Sequence, residues 1–390
     1  MNPIKDSVHD YITLDPVGAA LLDTPELQRL RHVKQLSTVR LVFPSANHTR
    51  FEHSLGVYHL AARALSHLDV DEETAAHARA AALLHDVGHG PYGHQTEDLI
   101  RRHTGKDHDQ IGWLLTDGDS DVARVLDRHG LDPQRVTDLI AGKGTVGSLV
   151  SGELDVDRMD YLVRDAHHTG AQYGTIDHSR LVRELRIEHD ELVLSEGNVP
   201  TAESLLLARS LMNSIVYHHH VSRIAGAMLA RASEQYLAET DTSAEQFRRM
   251  ADHDLLVDLR NHVPDLGRRI EQRDLYKRAV WADLGDVPQG TVEVGHEEER
   301  TAEREIAEVA GVDPSAVIVE VPDRPALKEA ATNVVVDGVV QRLEDASDLV
   351  AGIRSAERAR WHLGVYCPAP HTEEVATAAS QVLGLRKTSH

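Results

Sequence analysis

The stretch Ala82-Leu-Leu-His-Asp-Val-Gly-His-Gly-Pro91 decides how this chain is read. An apolar, alanine-rich run from Ala75 predicts a helix starting near Asp71, with its stop at Gly88 and Gly90-Pro91. Neighbouring residues on a helix point about 100° apart. His85 and Asp86 therefore reach a common point only near that helix end. A His-Asp doublet alone is weak evidence. Upstream lies His53 in Thr49-Arg-Phe-Glu-His-Ser-Leu-Gly56, and downstream Asp157 in Asp155-Val-Asp-Arg-Met-Asp-Tyr161. Two imidazoles and two carboxylates in that order suit one divalent ion. Nitrogen and oxygen donors favour Mn, Fe, Co, Ni or Zn, and Mg prefers oxygen. Such an ion lowers the pKa of water and polarises a P–O bond.

More histidines follow. His89 comes one helical turn after His85, and His94 and His108 lie beyond it. Imidazole is the side chain best placed to move protons near neutral pH. The chain has 26 histidines, so most are ordinary. In His218-His219-His220, consecutive helical residues point three ways. One inward member is expected there, not a second metal site.

Around these motifs the pattern is mostly helical. Thr24-Pro25 opens a short helix. Another helix runs from about Phe51 through His59 to Leu68, and one resumes over Arg158–His167. A long one starts at Pro200 and is expected to pass Tyr217, with helical patterning to about Ala282. Phe43–Asn47 and Gly142–Ser148 read as loops, and the latter lacks phosphate-loop spacing. From Gly285 the character changes. A polar tract leads to a short helix (Thr301–Ala310) and β-like runs at Ala316–Val321, Asn333–Val340 and His362–Tyr366. The expected fold is mainly α, a helical domain over 1–285 with a smaller C-terminal α+β lobe over 290–390.

The 390 residues carry a formal charge of −22, with 63 acids and seven lysines. The acids are spread along the chain, as in salt-adapted proteins. Nucleic acid and anionic membranes need a basic stripe, so neither is an expected partner. An anionic substrate needs locally gathered cations. Cys367 is the single cysteine, which excludes an intrachain disulfide. Met1–Asp10 has no apolar signal region and no apolar run is long enough to span a bilayer, so a cytoplasmic location is expected.

The motifs resemble the HD-domain deoxynucleoside triphosphate triphosphohydrolases, the bacterial dGTPase-like enzymes and the vertebrate sterile-alpha-motif/HD-domain dNTPase among them. The likeness is dense from Leu22 to Asp177 and thinner to about Lys277. It rests on Asp23-Thr-Pro-Glu-Leu-Gln-Arg-Leu-Arg31, Lys34-Gln-Leu36, Phe43-Pro-Ser-Ala46, Arg50–Val57, Leu84–Pro91, Asp155–Asp165 and His167-His-Thr-Gly170. It implies an all-helical core in which His53, His85, Asp86 and Asp157 hold the metal. By the same resemblance His89 and His108 flank the α-phosphate, Asp109 orients His108, and His94 faces the scissile bond. Arg50, Arg158 and Arg209 neutralise the triphosphate. Gln35 and Leu36 contact the sugar, Tyr161 and Asp165 hold the 3′-hydroxyl, and Tyr217 packs on the deoxyribose. His218 stands among these substrate contacts, where it bears on sugar or base selectivity.

Arg158 replaces the vertebrate lysine, Asp109 a more usual glutamate, and His218 a common glutamine. Asp23, Gln28 and Arg31 match an activating-nucleotide site in the vertebrate enzyme; helix-start capping and surface pairing explain them equally well. The expected reaction is dNTP hydrolysis, with dGTP a candidate substrate, by a homo-oligomer. The same metal set also serves nucleoside monophosphates, cyclic nucleotides and alarmones, or a nucleotide-sensing module without turnover.

Overall fold

A computed structural model describes residues 3–116, 120–324 and 327–386. The fold is mainly α with small sheets. Two antiparallel-packed helices form its centre. Arg50–Leu65 begins with a capping box between Thr49 and Glu52. Glu72–Leu84 is capped by Asp71, whose side chain accepts from Thr74 N. The Val156–Thr169 helix, capped by Asp155 and stopped by left-handed Gly170, lies against the first of these. Their buried faces (Phe51, Leu55, Tyr58, Ala78, Ala81, Leu84, Met159 and Leu162 among them) belong to one apolar core. Fully burying a Leu or Phe stabilises by about 1.5–3 kcal/mol. The low aromatic content is offset by many such aliphatic contacts.

The His-Asp helix ends at Leu84, with His85 as its C-cap, four residues before the expected stop at Gly88. Glycine does not end it. Arg29 reaches in and donates to the carbonyls of Val87 (3.0 Å), His89 (2.6 Å) and Met250 (3.0 Å). That guanidinium holds the turn after the helix, while His85 Nδ1 and the Val87 N–H cap the helix's own carbonyls at Ala82 and Leu84. Gly88 serves close approach instead: a Cβ there would lie 2.1 Å from the His108 carbonyl oxygen.

Three other expectations are corrected. The supposed loop at Gly142–Ser148 contains the Gly144–Val150 helix, because Val146, Leu149 and Val150 bury themselves in the core. The Val199–Met212 helix does not pass Tyr217 intact. It widens into a π turn over Asn213–Tyr217, breaks, and restarts at His220. Helical patterning stops short of Ala282, since Lys277–Asp283 is a strand, and the chain before Pro200 holds a hairpin of Leu185–Glu188 and Glu191–Leu194.

The C-terminal β-like runs are strands at Ile318–Glu320, Asn333–Val336, Val339–Arg342 and His362–Cys367. His362–Cys367 is central in one sheet, antiparallel to both Lys277–Asp283 and Ile318–Glu320. This sheet has its own core with Ile306, Trp361 and Val375. Asn333–Val336 instead joins the Leu185–Leu194 hairpin through Leu194 and Val334. Leu327, Val334, Leu343 and Ile353 pack into the helical core. Strands from both sides of residue 285 thus share both sheets.

A candidate metal centre and its neighbourhood

His53 sits one turn into its helix, His85 caps the next, and Asp157 lies in the first turn of Val156–Thr169. The packing of these elements brings the ligands together. His53 Nε2 is 3.3 Å from His85 Nε2 and 2.9 Å from Asp157 Oδ1. His85 Nε2 is 3.8 Å from the same carboxylate oxygen. These three form the compact cluster, and Asp86 stands beside it, with Oδ1 3.5 Å from His85 Nε2 and Oδ2 3.9 Å from His53 Nε2. His53, His85 and Asp86 are buried, while the Asp157 side chain is 34% exposed and opens the group to solvent.

The donor set fits a divalent cation, and the tautomers fit it too. His85 Nδ1 donates to the Ala82 carbonyl at 2.9 Å. His53 Nδ1 donates to Asp160 Oδ2 at 2.8 Å. Both pinned rings leave Nε2 facing the cluster, which is how ligating histidines are held. Burial alone lowers the His53 pKa; Asp157 and Asp160 outweigh it and raise it to about 10. Burial raises the Asp86 carboxyl, but Arg50 and the neighbouring imidazoles hold it well below the usual range.

Arg50 donates from Nη1 to Asp86 Oδ2 at 2.7 Å, so in this structure it braces a candidate ligand. Its Nε is buried without a partner. Gly93, at φ +52°, lets the guanidinium pass: a Cβ there would sit 2.5 Å from Nη2.

A second cluster adjoins the first. His89 and His108 stack with ring centres 3.9 Å apart, and His94 stands edge-on to both. His89 Nε2 approaches Asp86 Oδ1 to 3.2 Å without the alignment of a hydrogen bond. Burial, Arg50 and His108 keep His89 well below its ordinary pKa. The carboxylate on His108 is Glu97, not Asp109. Glu97 Oε1 accepts a very short bond from His108 Nδ1, and Oε2 contacts His94 Nδ1 at 2.6 Å. Glu97 lies three residues after His94 in the His94–Thr104 helix, a spacing that puts both on one face. Burial lowers the His108 pKa, and Glu97 overrides it to a net rise. Burial likewise raises Glu97, and the two histidines pull it far down.

Beyond the metal cluster, Asp165 is buried and held from both sides. Tyr217 donates its hydroxyl to Oδ2 at 2.7 Å, and His48 Nε2 meets Oδ1 at 2.8 Å. Tyr161 meets Tyr217 edge-on at 6.3 Å. Gln35 accompanies His48 through its backbone N–H to the His48 carbonyl (3.0 Å), and Gln35 Oε1 is buried without a partner. Leu36 packs partly buried against the core. Arg158 folds back onto Asp155 and the Gly152 carbonyl. Arg209, Tyr217 and His218 line a cavity of about 720 Å³ with Arg223, Trp281 and His362.

The remaining predicted residues stay local. Gln28 Oε1 accepts from Arg31 Nε at 2.8 Å, Arg31 lies 3.6 Å over the Phe51 ring, and Asp23 caps a helix end. Sequence reasoning missed Glu97, Asp160 and His48. The i, i+3 spacings of His94 with Glu97 and of Asp157 with Asp160 were available signals. His48 gave none.

Residues 50–165 match the HD domain family, and residues 176–390 match the HD associated region. The chain belongs to the HD family. The second match covers the C-terminal part for which the motifs offered no likeness. An uncharacterized protein of Methanocaldococcus jannaschii is 32% identical over 96% of this chain and 81% of its own length. The human deoxynucleoside triphosphate triphosphohydrolase SAMHD1 is 27% identical, over 79% of this chain and 59% of that enzyme. A hypothetical protein from Aquifex aeolicus superposes with a TM-score of 0.79 at 27% identity, covering 97% of this chain and 99% of the other. A phosphohydrolase from Bacteroides thetaiotaomicron gives 0.75 at 25% identity, with 94% and 100% covered. The protein is an HD-domain phosphohydrolase. Among the described residues no helix is long and apolar enough to cross a membrane.

Proposed function

We propose that this HD phosphohydrolase cleaves a deoxynucleoside triphosphate into deoxynucleoside and triphosphate. The observation that carries the reading is Asp165, a buried carboxylate with Tyr217 and His48 on its two oxygens. Buried polar groups arranged for a sugar hydroxyl discriminate strongly against analogues that lack it. The similarity to the human triphosphohydrolase supports the same substrate class.

In this reading His53, His85, Asp86 and Asp157 hold a divalent ion. That ion supplies Lewis acidity and lowers the pKa of water. The stacked His89 and His108 face the α-phosphate, and His94, with its exposed ring, delivers a proton to the leaving 5′ oxygen. Glu97 orients both His94 and His108. Arg50, Arg158 and Arg209 offset phosphate charge that the −22 chain otherwise repels. Tyr161 and Asp165 hold the 3′-hydroxyl, Gln35 and Leu36 the sugar, and Tyr217 leaves a 2′-hydroxyl no partner. His218 lies at the base end. The working form is a homo-oligomer, which light scattering of the purified chain tests.

The deciding experiment is product analysis with each dNTP and a panel of divalent metals. Triphosphate and deoxynucleoside are the expected products. Orthophosphate or pyrophosphate without triphosphate refutes the reaction. Turnover confined to a nucleoside monophosphate, cyclic nucleotide or alarmone in a competition panel refutes the substrate. Tight dGTP binding without hydrolysis under every metal points to a sensor.

A further inference from the structure

The N-terminal hairpin reaches the metal centre from behind. Its strands are Ile4–Asp6 and Asp10–Ile12, joined through a turn that carries His9. The side chains of Asp6 and His9 are both turned away from solvent, 4% and 1% exposed. His9 Nε2 donates to Asp160 Oδ1 at 2.6 Å. Arg164 joins the same group from one turn further along the Asp160 helix. It donates from Nε to Asp160 Oδ2 (2.8 Å) and from Nη2 to Oδ1 (3.0 Å). Its Nη1 and Nη2 also reach the two oxygens of Asp6, at 2.9 and 3.3 Å. The fourth donor to Asp160 is His53 Nδ1.

Asp160 therefore accepts four hydrogen bonds, the full capacity of a carboxylate. Gly56 closes the last side. A Cβ there would stand 1.8 Å from Asp160 Oδ1. Nothing in folding alone requires the arrangement to end on His53. It does so on the one nitrogen that decides where Nε2 points.

We propose that His9 is a positioning residue for the metal centre. Together with Asp6 and Arg164 it fixes Asp160, and Asp160 holds His53 with Nε2 aimed at His85 and Asp157. The hairpin is thereby part of the catalytic apparatus without touching substrate or metal. The proposal rests on the metal-centre reading and is independent of which nucleotide is cleaved.

The test is a Co(II) titration of the full chain, read by the visible absorption of the bound ion with no substrate present. Two isosteric amides separate positioning from anchoring. Gln at residue 9 places an N–H near the position of the lost Nε2, and Asn is too short to do so. H9N is expected to weaken Co(II) binding about tenfold and to alter the spectrum, the lower end of the range found for groups bonded directly to ligating histidines. H9Q is expected to recover both. D6N, which loosens Arg164 but leaves Asp160 intact, gives a smaller loss in the same direction. Wild-type affinity and spectrum in H9N overturn the proposal, even if the melting temperature falls, because an anchor alone predicts that result. Equal losses in H9N and H9Q overturn it as well, and so does a wild-type chain that binds no Co(II). A wild-type chain that binds Co(II) but releases no triphosphate refutes the substrate reading, and the H9N–H9Q comparison still decides this one.

Discussion

Single residues set the chemistry, and two substitutions separate the two clusters. Asp157→Ala removes the carboxylate that approaches both His53 and His85. It is expected to abolish metal retention, measured by elemental analysis of purified protein, and turnover with it; retained metal refutes the ligand assignment. Glu97→Gln acts on the other cluster. The carboxylate raises the His108 pKa against burial. Without it the imidazole gives up its proton at lower pH. Any rate limb that needs protonated His108 should therefore move to lower pH. A kcat–pH profile that does not move refutes the assignment. The metal ligands were legible because each lies in its own dense motif. Glu97 was overlooked because the more adjacent Asp109 stood beside His108 in sequence. The fold brings the carboxylate from eleven residues upstream, across a turn that local spacing does not describe.

Helices around the site were legible from apolar periodicity, and their ends were not. The turn that follows the stop at Leu84 is held by Arg29, more than fifty residues away in sequence. The widened turn at Asn213–Tyr217 places Tyr217 on Asp165 and has no local punctuation. Gly56 shows the converse, a glycine inside a helix that weakens local propensity to permit close packing. Gly56→Ala forces a methyl onto Asp160, and overpacking of this kind costs about 1–3 kcal/mol. Thermal unfolding should report that loss, together with weaker Co(II) binding; a stable, fully metal-competent variant refutes the close-approach account. The His296–Ala310 helix carries a titratable strain of its own. Burial and the nearby Glu303 and Glu320 raise Glu299 to about 8. An acid whose folded pKa is raised stabilises below its unfolded pKa, and that stability is lost as pH rises towards 8. Glu299→Gln keeps an acceptor for the Val321 N–H and removes the charge. Its melting temperature relative to wild type should therefore rise between pH 5 and pH 8. A constant difference across that range refutes the shift.

At the scale of the molecule, the mainly α body with a C-terminal α+β part was readable from composition and pattern. The division of that part between two cores was not. Val334 joins the Leu185–Leu194 hairpin while Val365 builds a separate sheet, and both are short apolar strands with the same sequence signature. Pairing partners far apart in the chain leave no local trace. Charge distribution, in contrast, is visible in sequence and has a consequence for the whole fold. A formal −22 spread along the chain makes the compact state repel itself. Unfolding separates these charges, so screening should favour the folded form. The Debye length falls from about 30 Å at 0.01 M to about 3 Å at 1 M salt. Buried pairs such as Arg164 with Asp160 are shielded from that screening, whereas surface pairs such as Arg101 with Asp98 lose a little of their small contribution. Net repulsion should outweigh those losses. The melting temperature at neutral pH should accordingly climb steadily as KCl is raised from low to molar concentration. The same climb should shrink near the isoelectric point, where the net charge vanishes. A flat or falling melting temperature at neutral pH would show that local ion pairs, not overall repulsion, dominate the response to salt.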